Sequence, residues 1–409
     1  MISSRSRALS EQFIVEAEAA KAMSAADECA LLSEAVRRNP DSTILRLRLA
    51  KLLNIMDAFD RTIGLLTEAG TERLDFGSLL VLSHALLARG IGPDTRVAWH
   101  HSQRAFELAT SDAERSFALA ESAKAALRLE DASTAVLFLE QALQLDPQNS
   151  GACKRLATHW LGIGAAEEVL ALTDRLAAAG VGHSRLLGSR MLALARVGRI
   201  EEARNLLNLG EFLHRQVLPA PAAWPDSDSF NAALAAEFSD HAGQRMGRHG
   251  TASRETVRID GPATGAVPAT RALLSAIATA AQQHVAGLKG STHPWLAARP
   301  GRAVLASWCV ITESSGFEDW HTHPQGWISG VYYADVPAAV CEGGGDAGCL
   351  LLGLPESLVS EDAARRVGTE LVRPRPGLLA MFPSHAYHRT FPHGAPGRRI
   401  CISFDLRPC

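Results

Sequence analysis

The chain has 409 residues, too many for one ordinary domain, and with 47% apolar and 21% charged residues it can build two or three separate cores. Lys and Arg number 41 against 44 Asp and Glu, a net charge of -3, which lacks the basic surplus that a nucleic-acid footprint requires. No apolar run reaches membrane-span length, no signal-peptide pattern is visible, and the seven scattered cysteines form no CxxC pair. A cytoplasmic protein with no nucleic-acid or membrane partner, no disulfide framework and no zinc finger is therefore expected.

Residues 10–214 are rich in Ala, Leu, Glu and Arg and carry helical periodicity. Three segments fall in register at an interval of 34 residues: EDASTAV from Glu130, GAAEEVL from Gly164 and GRIEEAR from Gly198. Ala135, Val169 and Ala203 then occupy equivalent places, small enough for paired helices to approach closely. The Asp-Pro of AVLFLEQALQLDPQ (135–148) and the Asn-Pro of SEAVRRNPDS (33–42) each end one helix and lead into the next. This pattern resembles tetratricopeptide repeats, best in the two C-terminal units and stretched to about 37 residues per unit around 65–110. The resemblance implies an α-helical repeat solenoid. Its groove would hold a peptide or protein, or its helices would be only a scaffold or dimer surface.

The Pro-rich stretch RQVLPAPAAWPDSD (215–228) reads as a linker, and residues 229–409 as a second domain. Helices are expected over 229–238 and 269–287. Beyond residue 301 the pattern changes to short apolar or alternating runs separated by Gly and Pro: 303–312, 327–336, 348–353, 377–382 and 398–406. Many short strands with turns between them predict a sandwich or jelly roll. The fold class expected is multidomain α + β.

Chemistry concentrates in this last part. His321 and His323 lie in DWHTHPQGW, and in an extended chain side chains two apart point to the same face. His388, in FPSHAYHRTFP, supplies a third imidazole that a jelly roll can bring to the same point. Imidazole suits iron, copper, zinc and nickel, so the residue types alone do not select the metal. Arg399 begins the run RICISF, and an inward-facing guanidinium needs an anion, most naturally a carboxylate. Ser403 shares its face, and one of Tyr332 and Tyr333 must also point inward.

Three ordered motifs, HTHPQGWISGVYY (321–333), PGLLAMFPSHAYH (376–388) and RRICISF (398–404), resemble the Fe(II)/2-oxoglutarate oxygenases of the prolyl-hydroxylase-like branch. The closest likeness is to a group with the pattern HxHPxxxxSGVYY, PGxLxxFPSxxxH and RISISF. The resemblance covers about residues 218–408. It implies a double-stranded β-helix (jelly roll) with flanking helices and a site using Fe(II), 2-oxoglutarate and O2. His321 would be the first iron ligand and His388 the distal one. Arg399 would pair with the far carboxylate of 2-oxoglutarate and Tyr333 would hydrogen-bond to it, with Ser403 adding a hydroxyl. The activity implied is hydroxylation of a peptide or protein side chain recruited by the repeats, or of a small metabolite.

The sequence departs from the superfamily at one position. Two residues after the first His there is usually Asp or Glu, and here there is His323. A three-histidine ligand set, His321, His323 and His388, is expected. Glu318, Asp319 and Asp335 are candidate sources of the missing negative charge, and loss of the iron site is the third option. His385 is the alternative ligand and Arg398 the alternative carboxylate partner. Two other classes compete: a cupin-like three-His dioxygenase that does not use 2-oxoglutarate, and a non-catalytic repeat protein on a degenerate oxygenase fold.

Overall fold

The computed structural model describes residues 13–19, 21, 23–68, 70–247, 252–288 and 292–409; residues 10–12, 20, 22 and 69 of the expected repeat range lie outside them. The chain is multidomain α + β and divides into two compact units. Residues 23–181 form the body of one. Residues 182–247 and 252–409, with the described residues before 23, form the other. Among the described residues no helix is long and apolar enough to cross a membrane.

The first unit is made of antiparallel helix pairs: α1 (Ala25–Arg38), α2 (Thr43–Ile55), α3 (Phe59–Thr67), α4 (Phe76–Arg89), α5 (Asp94–Leu108), α6 (Asp112–Arg128), α7 (Ala132–Leu145), α8 (Ser150–Gly162) and α9 (Ala166–Ala178). Side-chain caps start most of them: Ser111 accepts from Glu114 N, Asp131 from Thr134 N and Asn149 from Ala152 N. The 34-residue register is visible in the backbone. Helices α7, α9 and α11 (Ile200–Leu207) begin at that interval, and positions 130, 164 and 198, just before each, all have positive φ. Gly164 and Gly198 take this conformation freely, whereas Glu130 does so under strain. Ala135, Val169 and Ala203 are fully buried, as close helix approach demands.

The second unit begins with β1 (Ile14–Ala17) and resumes at α10 (Ser184–Arg196), α11 and the short α12 (Leu209–Phe212). It continues with β2 (His214–Val217), α13 (Ser227–Ser239), β3 (Gln244–Met246), β4 (Ser253–Asp260), α14 (Pro268–Gly287), α15 (Pro294–Ala297) and the long β5 (Arg302–Glu318). After these come β6 (Ile328–Asp335), α16 (Ala338–Glu342), β7 (Leu350–Gly353), α17 (Glu361–Val367), β8 (Glu370–Val372), β9 (Leu378–Pro383), β10 (Tyr387–Thr390) and β11 (Arg399–Pro408). Two sheets result. The larger runs β2-β9-β6-β11-β5-β4-β3, with β1 added parallel to the start of β5, and the smaller runs β10-β7-β8. This is the jelly-roll arrangement, with helices α13 and α14 beside the larger sheet.

Packing divides the chain earlier than composition does. The boundary falls at 181/182, so the last helix pair, α10–α11, is part of the sheet-bearing unit. Ser184 Oγ donates to Gly326 O at 2.6 Å, and the His385 ring nitrogen Nε2 lies 3.0 Å from Leu206 O. The expected linker 215–228 is also partly structural: residues 214–217 pair antiparallel with β9 as an edge strand. Their half-buried polar side chains hide the strand signal, and Pro219 and Pro221 then end it.

Candidate metal centre

One face of β11 organises the site. Arg399, Cys401, Ser403 and Asp405 alternate along it and so point to the same side. Across the ladder, Cys401 faces Tyr333, Ser403 faces Val331 and Asp405 faces Ser329 on β6. On β5 the partners are Thr312 for Arg399, Val310 for Cys401 and Trp308 for Ser403. Tyr332 points the other way, its hydroxyl donating to Asn231 Oδ1 of α13 at 2.7 Å. Of the two adjacent tyrosines, Tyr333 is therefore the one on the Arg399 face.

Over one end of this floor the three histidines meet. His321 and His323 lie in the loop after β5, and His388 on β10 of the smaller sheet. Backbone hydrogen bonds of 3.0 Å in both directions join His321 to His388, and His323 N donates to Ser384 O at 3.0 Å. The ring centroids are 4.2–5.1 Å apart, and one ligand atom from each ring lies within 4.8 Å of the others. Each Nδ1 is already occupied: His321 by Asp319 O at 2.7 Å, His388 by Ala386 O at 3.0 Å and His323 by Asp405 Oδ1 at 2.5 Å. With Nδ1–H donating in each ring, the Nε2 lone pairs are left for a common cation. Burial pushes His321 down to about 3, aided by the neighbouring His323, and lowers His388 well below its ordinary value, aided by both other rings. Neutral rings are the form that binds a metal.

The loop that carries two of these rings is held at several points. Gly326 is required there, because a Cβ would sit 2.4 Å from Ser384 Oγ and 3.1 Å from Asp405 Oδ1. Trp327 N donates to Leu406 O at 2.8 Å, and the Trp327 and Trp295 indoles stack at 4.7 Å while each N–H donates to the other's carbonyl. From the other side comes α10, whose Ser184 reaches the Gly326 carbonyl.

At the far end of the β11 face, Arg399 is 1% exposed. Its Nη1 donates to Gly348 O at 2.6 Å and its Nη2 to Thr390 Oγ1 at 3.5 Å, while Nε has no partner. Among the described residues no carboxylate pairs with it. The hydroxyl of its strand neighbour Thr312 is also buried without a partner. A buried guanidinium left this way is the environment that an added carboxylate completes. Burial raises the Tyr333 phenol above its ordinary value despite the pull of Arg399, so it stays a hydrogen-bond donor.

The remaining candidates lie elsewhere. His385 turns to Leu206 and His393 to Thr312 O at 3.3 Å, so neither joins the three rings. Arg398 is exposed and donates to Ser239 Oγ at 3.0 Å. Glu318 is bonded to Ser253 Oγ at 2.8 Å, with burial raising its carboxyl, and Asp319 pairs with Arg254 at 3.7 Å. Asp335 is exposed at the end of β6. None of these carboxylates enters the cluster. The one that approaches it is Asp405, 4% exposed, also accepting from Ser329 Oγ at 2.7 Å. Burial raises its carboxyl, but His323 and the bonds from His323 and Ser329 outweigh this and hold it below its ordinary value. Asp405 follows the RICISF run directly and sits two residues from Ser403, so strand alternation alone places it on the Arg399 face. The motif serines, Ser329 and Ser384, are bonded to each other at 2.7 Å behind it.

Three inward imidazoles thus converge at one end of a jelly-roll floor, and a buried arginine with no carboxylate partner among the described residues lies at the other. Residues 306–405, about a quarter of the chain and the stretch that contains all four groups, match the family model described as "Putative 2OG-Fe(II) oxygenase". No curated protein matches the chain. Among solved structures it is similar to a Pseudomonas putida prolyl-4-hydroxylase, at 19% identity over 50% of this chain and 97% of that one, TM-score 0.32. It is also similar to the non-heme alpha ketoglutarate dependent epimerase SnoN from nogalamycin biosynthesis, at 15% identity over 52% and 83%, TM-score 0.34. A third similarity is to a tetratricopeptide repeat protein from Parabacteroides merdae, at 12% identity over 53% and 80%, TM-score 0.36.

Proposed function

We propose that the second unit is an Fe(II)- and 2-oxoglutarate-dependent oxygenase that hydroxylates a peptide or protein side chain, or a small metabolite. The helical repeats would recruit the substrate. The observation that carries this reading is the pairing of a converging three-imidazole cluster with a buried arginine that has no anion, on one floor of one fold.

In this reading His321, His323 and His388 hold the iron through Nε2, with their Nδ1–H groups fixing each ring's tautomer and direction. Arg399 takes the far carboxylate of 2-oxoglutarate, Tyr333 donates a hydrogen bond to it, and Ser403 offers a hydroxyl on the same face. The residues present fit the groups: neutral nitrogens for a borderline cation, and a desolvated guanidinium for a carboxylate. Bound iron and 2-oxoglutarate together supply dioxygen activation and oxidation of an unactivated C–H bond, with succinate and carbon dioxide leaving as co-products. Val331 and Trp308 flank Ser403 on the floor between the two ends.

His323 favours a second reading, a three-His dioxygenase that does not use 2-oxoglutarate, but that reading leaves the Arg399 guanidinium without an anion. Anaerobic titration of the Fe(II)-loaded protein with 2-oxoglutarate separates the two. The oxygenase reading expects a visible charge-transfer band that saturates, followed by succinate formation when air and substrate are admitted. Iron uptake with neither band nor binding heat would favour the three-His dioxygenase. Failure to take up Fe(II) at all would favour a non-catalytic platform.

A further inference from the structure

The usual facial triad has two neutral histidines and one anionic carboxylate. With His323 at the third position, the three rings carry no negative charge of their own. The groups behind the rings are not equivalent. Nδ1 of His321 and of His388 each meet a backbone carbonyl, of Asp319 and Ala386. Only Nδ1 of His323 meets a carboxylate, Asp405 Oδ1, at 2.5 Å. That carboxylate is almost fully buried and lies directly against the His323 ring. Ser329 Oγ, itself tied to Ser384 Oγ, donates to the same oxygen and keeps it aimed at the ring. A buried carboxylate is costly unless hydrogen bonds or opposite charge meet it; here the bonds come from His323 and Ser329, and Arg407, two residues on along β11, adds a favourable charge.

We infer that Asp405, acting through His323, supplies the negative charge that the usual triad places on the ligand itself, so that the Asp405–His323 pair is the anionic member of this metal centre. The inference rests on the metal-site reading above. Asp405 is a positioning residue here: it touches the ring and not the metal. It accepts the Nδ1–H bond, and its charge raises the electron-donating power of the Nε2 lone pair. His321 and His388, backed by carbonyls, remain ordinary neutral ligands. The anion sits one ring further out, at the same one of the three positions where the superfamily carries its carboxylate.

Metal binding tests this without recourse to turnover. Fe(II) or Co(II) affinity is measured anaerobically by competition with a chelator, with the visible spectrum of the Co(II) form recorded in parallel. Asp405→Asn keeps an oxygen for the Nδ1–H bond but removes the charge, and is expected to bind metal about 10–100-fold more weakly with a shifted Co(II) spectrum. Ser329→Ala keeps the charge and loses only one supporting bond, and is expected to stay within about threefold of the wild type, below the range typical for lost outer-shell partners. His323→Asp combined with Asp405→Asn moves the anion onto the ligand and is expected to recover tight binding, where Asp405→Asn alone does not. Should Asp405→Asn fail to fold, this double variant carries the test by itself, since it replaces both partners. Wild-type affinity and an unchanged Co(II) spectrum in Asp405→Asn, or no metal binding in the double variant, would overturn the inference. Absence of metal uptake by the wild-type chain would instead remove the metal-site reading, and this inference with it.

Discussion

His321 and His388, far apart in sequence, exchange two backbone hydrogen bonds of 3.0 Å each and so form a one-residue bridge between the end of β5 and the smaller sheet. The rings are brought together by main chain, not by side-chain contact. His388→Ala is therefore expected to keep the bridge and the fold while losing a ligand. Fe(II) or Co(II) affinity should fall by at least about 100-fold, the upper limit for partners one shell further out. Chelator competition reads the affinity, and an unchanged far-ultraviolet spectrum shows that the fold survives.

Arg399→Lys keeps a positive charge but not the planar fork. A hydrogen bond to a charged group contributes about 1.5–3 kcal/mol, so 2-oxoglutarate affinity should fall about 10–100-fold with metal affinity unchanged. Equal loss of both affinities would show that Arg399 supports the fold and not the co-substrate.

The two adjacent tyrosines give opposite results. Tyr332→Phe breaks the bond to Asn231 and should lower unfolding stability by about 1 kcal/mol, leaving 2-oxoglutarate affinity alone. Tyr333→Phe should do the reverse, weakening 2-oxoglutarate a few-fold at constant stability. Urea titration and anaerobic ligand titration of both variants check the pair.

Gly188 lies in α10 where an added Cβ would be 3.5 Å from His385 O, 3.6 Å from the Tyr387 ring and 3.9 Å from the Thr322 methyl group. That is ordinary contact, so Gly188→Ala should fit and gain up to about 1 kcal/mol from helix propensity. Gly188→Leu has no such room, and overpacking should cost about 1–3 kcal/mol. Since Thr322 stands between His321 and His323, it should also weaken metal binding. Thermal melts and metal titration of the two variants distinguish a graded effect from none.

His284 on α14 is half-buried and its ring stacks 4.5 Å from that of His214. Burial first, and the neighbouring His214 second, push its pKa down to about 4 from 6.5. The unfolded chain therefore takes up this proton before the folded one does. The stabilisation is complete above about pH 6.5 and is lost as the pH falls through about 4. In metal-free protein the urea midpoint should drop across that window, and His284→Leu should flatten the drop. A midpoint with the same pH dependence in both proteins would refute the assignment.

The parts of this molecule that could be read from sequence are those with local periodicity or a fixed motif. The 34-residue register predicts where α7, α9 and α11 begin, and strand alternation along RICISF puts Arg399 and Ser403 on one face. The less legible parts depend on contacts between distant residues. Strand β2 is polar and half-buried, so it reads as linker until β9 lies beside it. Helices α10 and α11 carry the same repeat signal as their predecessors, and only bonds such as Ser184 to Gly326 assign them to the sheet-bearing unit. The alternation that places Ser403 also places Asp405 on that face, but Asp405 lies 82 residues from His323 in the chain and no local motif links the two. The residue that meets His323 comes from another strand of the sheet.

Strand β1 has a consequence for how the protein is made. Ile14–Ala17 pairs in parallel with Arg302–Leu305, and the whole helical unit lies between them in the chain. During synthesis the helices, whose contacts are local, can form as they emerge, while β1 must wait with its hydrogen-bonding edge unsatisfied for nearly three hundred residues. The jelly roll then closes in a late step. The slowest folding phase should thus belong to the sheet-bearing unit, and this early strand is the segment most in need of protection on the ribosome.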